Sequence, residues 1–237
     1  MEQEAVNGTI MKGFLVYDES VEGKRPGVIV VHEWWGHNEY ARNRARMLAE
    51  LGYTALAVDM YGDGKQANHP DEAGKFAMEV FQNIEMAKER FNAGLILLKE
   101  QPSTDPEHIA AIGYCFGGGV VLHMVRFGAD LDGVVSFHGS IQTQSPAKSN
   151  EVKAKILVCN GANDSFITAE QIEAFKKEMD DAGVDYKFIN YPDALHSFTN
   201  PAADSLGKKF SLPLAYNKKA DEQSWTDMQE FFKRLFE

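Results

Sequence analysis

The stretch "AAIGYCFGGGV", residues 110–120, places one of only two cysteines in the chain between an apolar run and three consecutive glycines. The residues "HIAAIG" (108–113) have the composition of a buried strand, and those after the glycines favour a helix. A sharp turn between them would crowd its neighbours, and Gly113 and Gly117 remove that clash. Cys115 would then lie at a helix N-terminus, where N–H groups and the helix dipole stabilise a thiolate. The pattern predicts a nucleophile at Cys115.

Two other interpretations of this turn are considered. A phosphate-binding loop would end in Gly-Lys-Ser or Gly-Lys-Thr, whereas the chain has Gly118-Gly119-Val120 at that place. A buried structural cysteine at a glycine-rich turn fits the same spacing. The turn alone therefore leaves the choice between a nucleophile and a structural thiol open.

Short strand-like runs alternate with longer helical patterns along the chain. Apolar residues recur at helical spacing over 41–51, 80–98, 172–179 and 225–235. Besides 108–113, the predicted strands are "GVIVVH" (27–32), "YTALAVDM" (53–60), "DGVVSFHG" (132–139), "AKILVCNG" (154–161) and "YKFINYP" (186–192).

The repeated β-α-β order favours an α/β fold, with a mostly parallel twisted sheet and helices on both faces. The residues "NGTIMKGFLVYDES" (7–20) are typical of a hairpin at the edge of the sheet. No linker or repeat interrupts the pattern, so we expect a single domain over residues 1–237.

A cysteine nucleophile needs a base and an acid, which in such folds follow it along the chain. "LVCNGANDSFI" (157–167) places Asp164 just beyond a predicted strand, and "YPDALHSF" (191–198) places His196 after the last one. The histidine accepts the thiol proton, and the aspartate fixes the tautomer of the histidine. We therefore predict a triad of Cys115, His196 and Asp164.

Other residues compete for these roles less well. Asp59 precedes the nucleophile in the chain, and Asp193 is too near His196 in sequence to be its obvious partner. Cys159 lies inside a predicted strand and is expected to be a core thiol. His138 ends another strand, where it either lines the pocket or has a structural role.

The composition argues against several classes of protein. There are 35 acidic residues against 24 lysines and arginines, a net charge of -11, which argues against a nucleic-acid partner. We find no signal-peptide pattern and no apolar run near the about 20 residues that span a bilayer, so we expect no membrane contact. Two cysteines fit a reducing cytoplasm. His32, Glu33 and His37 lack zinc-site spacing, and we expect neither a metal nor another cofactor.

With "GYCFGG", "ANDSF" and "ALHSF" in this order, the chain resembles the dienelactone hydrolase family, a cysteine-using branch of the α/β-hydrolase fold. The resemblance extends from "GVIVVHEWWG" (27–36) to "WTDMQEFFKRLF" (225–236). It implies a cofactor-independent hydrolase that acts on a small ester or lactone through a thioester acyl-enzyme. Whether the protein is a monomer or a homodimer is left open.

The resemblance also implies roles for individual residues. Glu33 stands where a family glutamate contacts the resting thiol and helps to activate it, and the alternative is a solvated loop glutamate. The oxyanion hole would use the backbone N–H groups of Trp34 and Phe116, and the general rule also names the residue after the nucleophile. The substrate-binding candidates are Trp35, Phe166, Phe198, His138 and Asn200.

One departure from the family concerns substrate charge. The founding enzyme of the family binds a substrate carboxylate with arginines. One of these arginines lies shortly after the triad histidine, where this chain has Asn200. We therefore predict a preference for neutral esters or lactones. The same triad also suits a thioesterase or an acyltransferase, and a non-enzymatic sensor that oxidises Cys115 reversibly is a further alternative.

Overall fold

Strands and helices alternate through the part of the chain that the computed structural model describes, residues 2–6 and 8–237. Contacts divide the chain into two compact units, the first ending at Ile112 and the second being Gly113–Glu237. The single domain stays a prediction.

The strands are β1 (Glu2–Val6), β2 (Thr9–Lys12), β3 (Phe14–Val16), β4 (Arg25–Val31), β5 (Thr54–Val58), β6 (Thr104–Tyr114), β7 (Gly133–Phe137), β8 (Lys155–Gly161) and β9 (Tyr186–Tyr191). The helices are α1 (Glu39–Glu50), α2 (Pro70–Gln82), α3 (Ile84–Lys99), α4 (Phe116–Arg126), α5 (Ala169–Ala182), α6 (Ala203–Phe210) and α7 (Lys218–Phe236).

Four strands of the first unit pair in the order β3-β5-β4-β6. β4 and β5 pair in parallel, with Val28 opposite Ala55 and Val31 opposite Val58. The side chains of both strands are almost all buried, as expected of a parallel sheet covered on its faces.

In the second unit the strand order is β7-β8-β9, and both pairings are parallel. β7 and β8 are buried almost throughout, whereas β9 alternates between more and less exposed residues. Because the three strands run in the same direction, the residues that follow them lie at one edge of the sheet. All six strands predicted from the apolar runs are present, and the mostly parallel α/β architecture is confirmed.

The hairpin predicted for the first 20 residues is confirmed only in part: β1 and β2 form an antiparallel pair, but this pair does not lie at the edge of the larger sheet. β2 pairs with β1 in a separate antiparallel sheet of two strands, and β3 pairs antiparallel with β5. Only Gly13 separates β2 from β3, which is too short a connection to reverse the chain. Asn7, the first residue of the predicted hairpin, lies outside the described residues.

The apolar pattern over 80–98 predicts one helix, but the structure has two. Val80 lies in α2, and the remaining apolar positions lie in α3. Asn83 separates the helices because its side chain accepts the N–H of Met86 and begins α3. At the start of α5, Thr168 and Gln171 form a capping box, the reciprocal pair of side-chain bonds that their three-residue spacing allows.

Four of the predicted site residues each come shortly after a strand. Cys115 comes directly after β6, His138 after β7, Asp164 three residues after β8, and His196 five residues after β9. Among the described residues, no helix combines the length and the apolar character that crossing a membrane requires.

Candidate active site

Cys115 occupies a strained turn between β6 and α4. Its backbone has a φ of 52° and a ψ of -113°, a conformation that costs energy for any residue with a side chain. The Cys115 N–H donates to the Phe137 carbonyl at 3.0 Å and to His138 Nδ1 at 3.2 Å. The residue is half-buried, unlike the fully buried Cys159. The turn thus presents Cys115 at the N-terminus of α4, as the sequence predicts.

The glycines around this turn are required by close approaches of the backbone. A Cβ on Gly113 would collide with the carbonyl of Gly117. A Cβ on Gly118 would lie 2.8 Å from Cα of Gly139, closer than side chains pack. The predicted steric role of Gly113 is confirmed.

The side chains of Asp164 and His196 lie in one continuous row with the thiol. His196 Nε2 is 3.1 Å from Cys115 Sγ, and His196 Nδ1 is 2.7 Å from Asp164 Oδ2. The other carboxylate oxygen of Asp164 accepts the N–H of Phe166 at 2.9 Å, which fixes the orientation of the carboxylate. The Nδ1–H group donates to Asp164, so Nε2 faces the thiol. The structure therefore brings all three predicted residues together.

The charges in this row reinforce one another. Burial alone would lower the pKa of His196, but the Cys115 thiolate and the hydrogen bond with Asp164 outweigh it and raise this pKa to about 10. A thiolate and an imidazolium side by side are the form in which a cysteine attacks a carbonyl carbon.

The sequence model of the dienelactone hydrolase family matches residues 11–236, nearly the whole chain. The chain belongs to the dienelactone hydrolase family. It is thus a hydrolase, and the family that its motifs resemble is confirmed.

Individual relatives of this dienelactone hydrolase-family chain cover its full length. A solved dienelactone hydrolase-like promiscuous phosphotriesterase from metagenomic libraries is 35% identical, with a TM-score of 0.91, and the match covers 100% of this chain and 98% of the other. "Protein usf" of Aquifex pyrophilus is 28% identical, over 96% of this chain and 94% of its own length. MGS-M1, an α/β-hydrolase enzyme from a Medee basin deep-sea metagenome, is 12% identical with a TM-score of 0.71, over 99% of this chain and 96% of the other, and shows the shared fold.

The predicted substrate-binding residues of the second unit have different environments. Phe166 is 49% exposed and packs edge-on against the His196 ring, with 4.9 Å between centroids. Phe198 is fully buried and contacts the rings of Tyr191 and His138. Asn200 is buried, and its side-chain carbonyl accepts the N–H of Ala202 at 2.9 Å, which favours a local structural role. Phe166 is thus the candidate that is open to a ligand.

His138 is fully buried and uses both ring nitrogens within the protein. One of them accepts the Cys115 N–H, and the other lies 2.7 Å from Thr199 Oγ1. The sequence predicted that His138 either lines the pocket or has a structural role, and it did not indicate Thr199. The sequence offered one indication that Thr199 lies near the site, namely that it follows His196 by three residues.

The rival acid Asp59 is occupied by backbone groups in the first unit. Its two oxygens accept the N–H groups of four residues, at 2.8 to 3.2 Å: Lys12, Tyr61, Gly62 and Gly64. This carboxylate therefore stabilises a turn.

Another feature of the first unit is Arg90, which is buried and donates to the Met60 carbonyl at 2.7 Å.

The motif "HEWWG" lies directly after β4 in the first unit. Glu33 is 2% exposed, so the alternative of a solvated loop glutamate is wrong. The rings of Trp34 and Trp35 pack edge-on at 5.1 Å, and the Trp34 carbonyl accepts the Tyr61 hydroxyl at 3.0 Å. Trp35 is buried, whereas Trp34 is partly exposed. No group of three His, Cys, Asp or Glu residues suited to a metal occurs in the described part of the chain.

We expect Cys115→Ser to lower the pKa of His196, because the thiolate charge that raises it is lost. The measurement is an NMR titration of the His196 ring in both proteins. Cys159→Ser is the control and should leave the titration unchanged, since Cys159 Sγ accepts a hydrogen bond from the Tyr191 hydroxyl and is not paired with His196. A His196 titration that is the same in the Cys115→Ser protein would contradict the charge pairing.

Iodoacetamide should label Cys115 far faster than Cys159. Burial raises the pKa of the Cys159 thiol to about 12, although the hydrogen bond from Tyr191 partly opposes this. A buried thiol of high pKa is shielded and remains protonated, whereas Cys115 is accessible beside His196. Mass mapping after brief treatment measures both sites, and equal labelling would refute the assignment.

Proposed function

We propose that this dienelactone hydrolase-family protein hydrolyses a small ester or lactone through Cys115, His196 and Asp164, with a thioester acyl-enzyme. The observation that carries the proposal is the unbroken row of contacts, 3.1 Å from Sγ to Nε2 and 2.7 Å from Nδ1 to Oδ2. A nucleophile, a base and an orienting acid within hydrogen-bond distance are what covalent acyl transfer requires.

Acylation begins with attack of the Cys115 thiolate on the substrate carbonyl carbon, which forms a C–S bond and a tetrahedral oxyanion. The oxyanion collapses and breaks the C–O bond, and the leaving alkoxide takes the proton from His196 Nε2. In a lactone the released alcohol stays attached to the acyl group. Asp164 stabilises the imidazolium throughout by accepting the bond from Nδ1.

Deacylation uses the same groups in reverse. His196 Nε2 accepts a proton from water, and the resulting hydroxide equivalent attacks the thioester carbonyl carbon. The C–S bond then breaks and returns the thiolate, while the carboxylic acid product leaves. The net reaction consumes one water per ester bond and needs no added cofactor.

The oxyanion hole would use the backbone N–H of Phe116, the first residue of α4. N–H groups in the first turn have no acceptor within their own helix and point outward from its N-terminus. Losing one such donor typically costs about 3–4 kcal/mol of transition-state stabilisation. The family resemblance assigns the second donor to the Trp34 N–H and thiol activation to Glu33.

We infer that the preferred substrates are neutral. Burying a carboxylate is costly unless a cation or hydrogen bonds compensate for it. Arg90 is buried against the Met60 carbonyl, and Asn200, where the founding enzyme has an arginine, is bonded to its own loop. The net charge of -11 offers no long-range attraction for anions.

A panel of small esters and lactones tests the proposal, with Cys115→Ala as the blank. Each neutral substrate is paired with the same scaffold bearing a free carboxylate, and a neutral phosphate triester is included because of the phosphotriesterase relative. Turnover of an ester or lactone by the wild type only, with an acyl mass added at Cys115 in rapid-quench samples, is the expected result. Transfer to an added alcohol in preference to water would favour an acyltransferase. Peroxide oxidation of Cys115 without ester turnover would favour a redox sensor.

A further inference from the structure

His138 lies between two segments that carry the triad. It follows β7 directly, it is fully buried, and its backbone φ is 40°. Its Nδ1 accepts the backbone N–H of Cys115 at 3.2 Å, and its Nε2 lies 2.7 Å from the hydroxyl oxygen of Thr199. Thr199 belongs to the loop of His196, so the imidazole connects the turn of the nucleophile to the loop of the base.

The two contacts fix the protonation of this ring. A backbone N–H can only donate, so Nδ1 of His138 carries no proton and accepts. The proton of the neutral imidazole is therefore on Nε2, which donates to Thr199 Oγ1. This neutral form suits its position, because the His138 ring packs edge-on against the His196 ring at 5.3 Å between centroids. A second positive charge there would oppose the imidazolium of His196.

The backbone on both sides of this ring is strained. Cys115, His138 and Ser197 have φ values of 52°, 40° and 58°, although none of them is glycine. Such conformations persist only where surrounding contacts determine them. The His138 ring contacts Cys115 directly and reaches, through Thr199, the loop that contains Ser197. Its two hydrogen bonds thus connect three strained positions.

We propose that His138 is a positioning residue that holds Cys115 and His196 at reactive distance through its hydrogen bonds to the Cys115 N–H and the Thr199 hydroxyl. We call these two bonds the His138 clamp. The proposal rests on the proposed function for its effect on turnover, but the clamp itself is defined by the Cys115–His196 contact. Reactivity of the Cys115 thiol therefore reports it independently of any ester.

Two substitutions separate hydrogen bonding from packing. His138→Leu fills the buried space without either hydrogen bond. His138→Asn is smaller, but its side-chain oxygen replaces Nδ1 as acceptor for the Cys115 N–H, and asparagine tolerates positive φ. We expect the leucine variant to lower the iodoacetamide rate at Cys115 about tenfold, and kcat about tenfold to 100-fold with little change in KM. The asparagine variant should recover most of the alkylation rate.

Thr199 provides a milder test at the other end of the clamp. Thr199→Val has the same shape without the hydroxyl, and Thr199→Ser keeps the hydroxyl. We expect valine to slow alkylation of Cys115 and to move its pH profile, while serine stays closer to the wild type. The control is His123→Asn, which replaces a half-buried histidine of α4 whose Nδ1 bonds to the Gly119 carbonyl within its own helix.

These measurements are made at pH values and temperatures where circular dichroism shows each variant folded. The proposal is overturned if leucine reacts at the wild-type rate, or if leucine outperforms asparagine, because packing alone would then explain the role of His138. Equal behaviour of Thr199→Val and Thr199→Ser would overturn the Thr199 end of the clamp. A wild type that alkylates rapidly at Cys115 but hydrolyses no ester would contradict the proposed function and leave the alkylation test of the clamp in force.

Discussion

His196→Ala is expected to reduce kcat for ester hydrolysis by about 10³-fold to 10⁶-fold. The substitution removes the group that is 3.1 Å from the thiol and that, in the proposed mechanism, carries the proton in both half-reactions. It leaves the strands of the sheet intact, since His196 lies beyond β9. Initial rates, with circular dichroism as the check of folding, measure the effect.

Asp164→Asn should cost about 10⁴-fold in the same assay, because an amide cannot stabilise the imidazolium and favours the wrong tautomer. The three residues act as one unit, so the double variant should be little worse than either single one. Asp193→Asn is the matched control, because Asp193 is an acid only three residues from His196, whereas His196 Nδ1 bonds to Asp164. A folded His196→Ala protein with full activity would contradict the proposed triad.

Glu178→Ala is expected to lower the free energy of unfolding by about 3–5 kcal/mol, because it leaves a buried guanidinium without its counter-charge. The Arg126 side chain is fully buried, and its Nε and second terminal nitrogen donate to the two Glu178 oxygens at 2.7 and 2.9 Å. The same carboxylate accepts the Ala147 N–H, and Arg126 also donates to the Ile141 carbonyl. The pair therefore anchors the irregular loop over 140–151 to α4 and α5.

Urea unfolding measures this loss against Glu173→Ala, which removes an exposed ion pair with Lys176 on the same helix. The control should change stability by less than about 1 kcal/mol. Replacing both Arg126 and Glu178 by methionine should recover much of the loss, since no charge is then left buried. Equal effects of Glu178→Ala and Glu173→Ala would show that burial adds nothing to the Arg126 pair.

The parts of the fold that repeat with a short period were predictable from the sequence. Six strands followed from apolar runs, and the proximity of Cys115, His196 and Asp164 followed from motifs that each come just after a strand. The break at Asn83 was missed because the apolar spacing continues across it, although a single side chain starts a new helix there. The place of the hairpin was wrong because β2 pairs with the preceding strand β1, whereas β3 pairs with β5, about 40 residues further along the chain.

Contacts between distant residues that belong to no recognisable motif were not predicted from the sequence. His138 and Thr199 are 61 residues apart, and Arg126 and Glu178 are 52 apart. Neither pair has a spacing or a motif that marks it, because a hydrogen bond between loops leaves no periodic pattern. Only the three-dimensional arrangement shows that Asn200 bonds to its own loop, whereas Phe166 remains exposed.

The burial of Cys159 has a practical consequence for working with this protein. A chain whose second thiol is enclosed in β8 behaves as a single-cysteine protein without any engineering. A chromogenic thiol reagent then acts as an active-site titrant, and its stoichiometry counts the competent molecules in a preparation. Specific activities of different variants can be divided by that count, which separates a slow enzyme from a sample that is only partly intact.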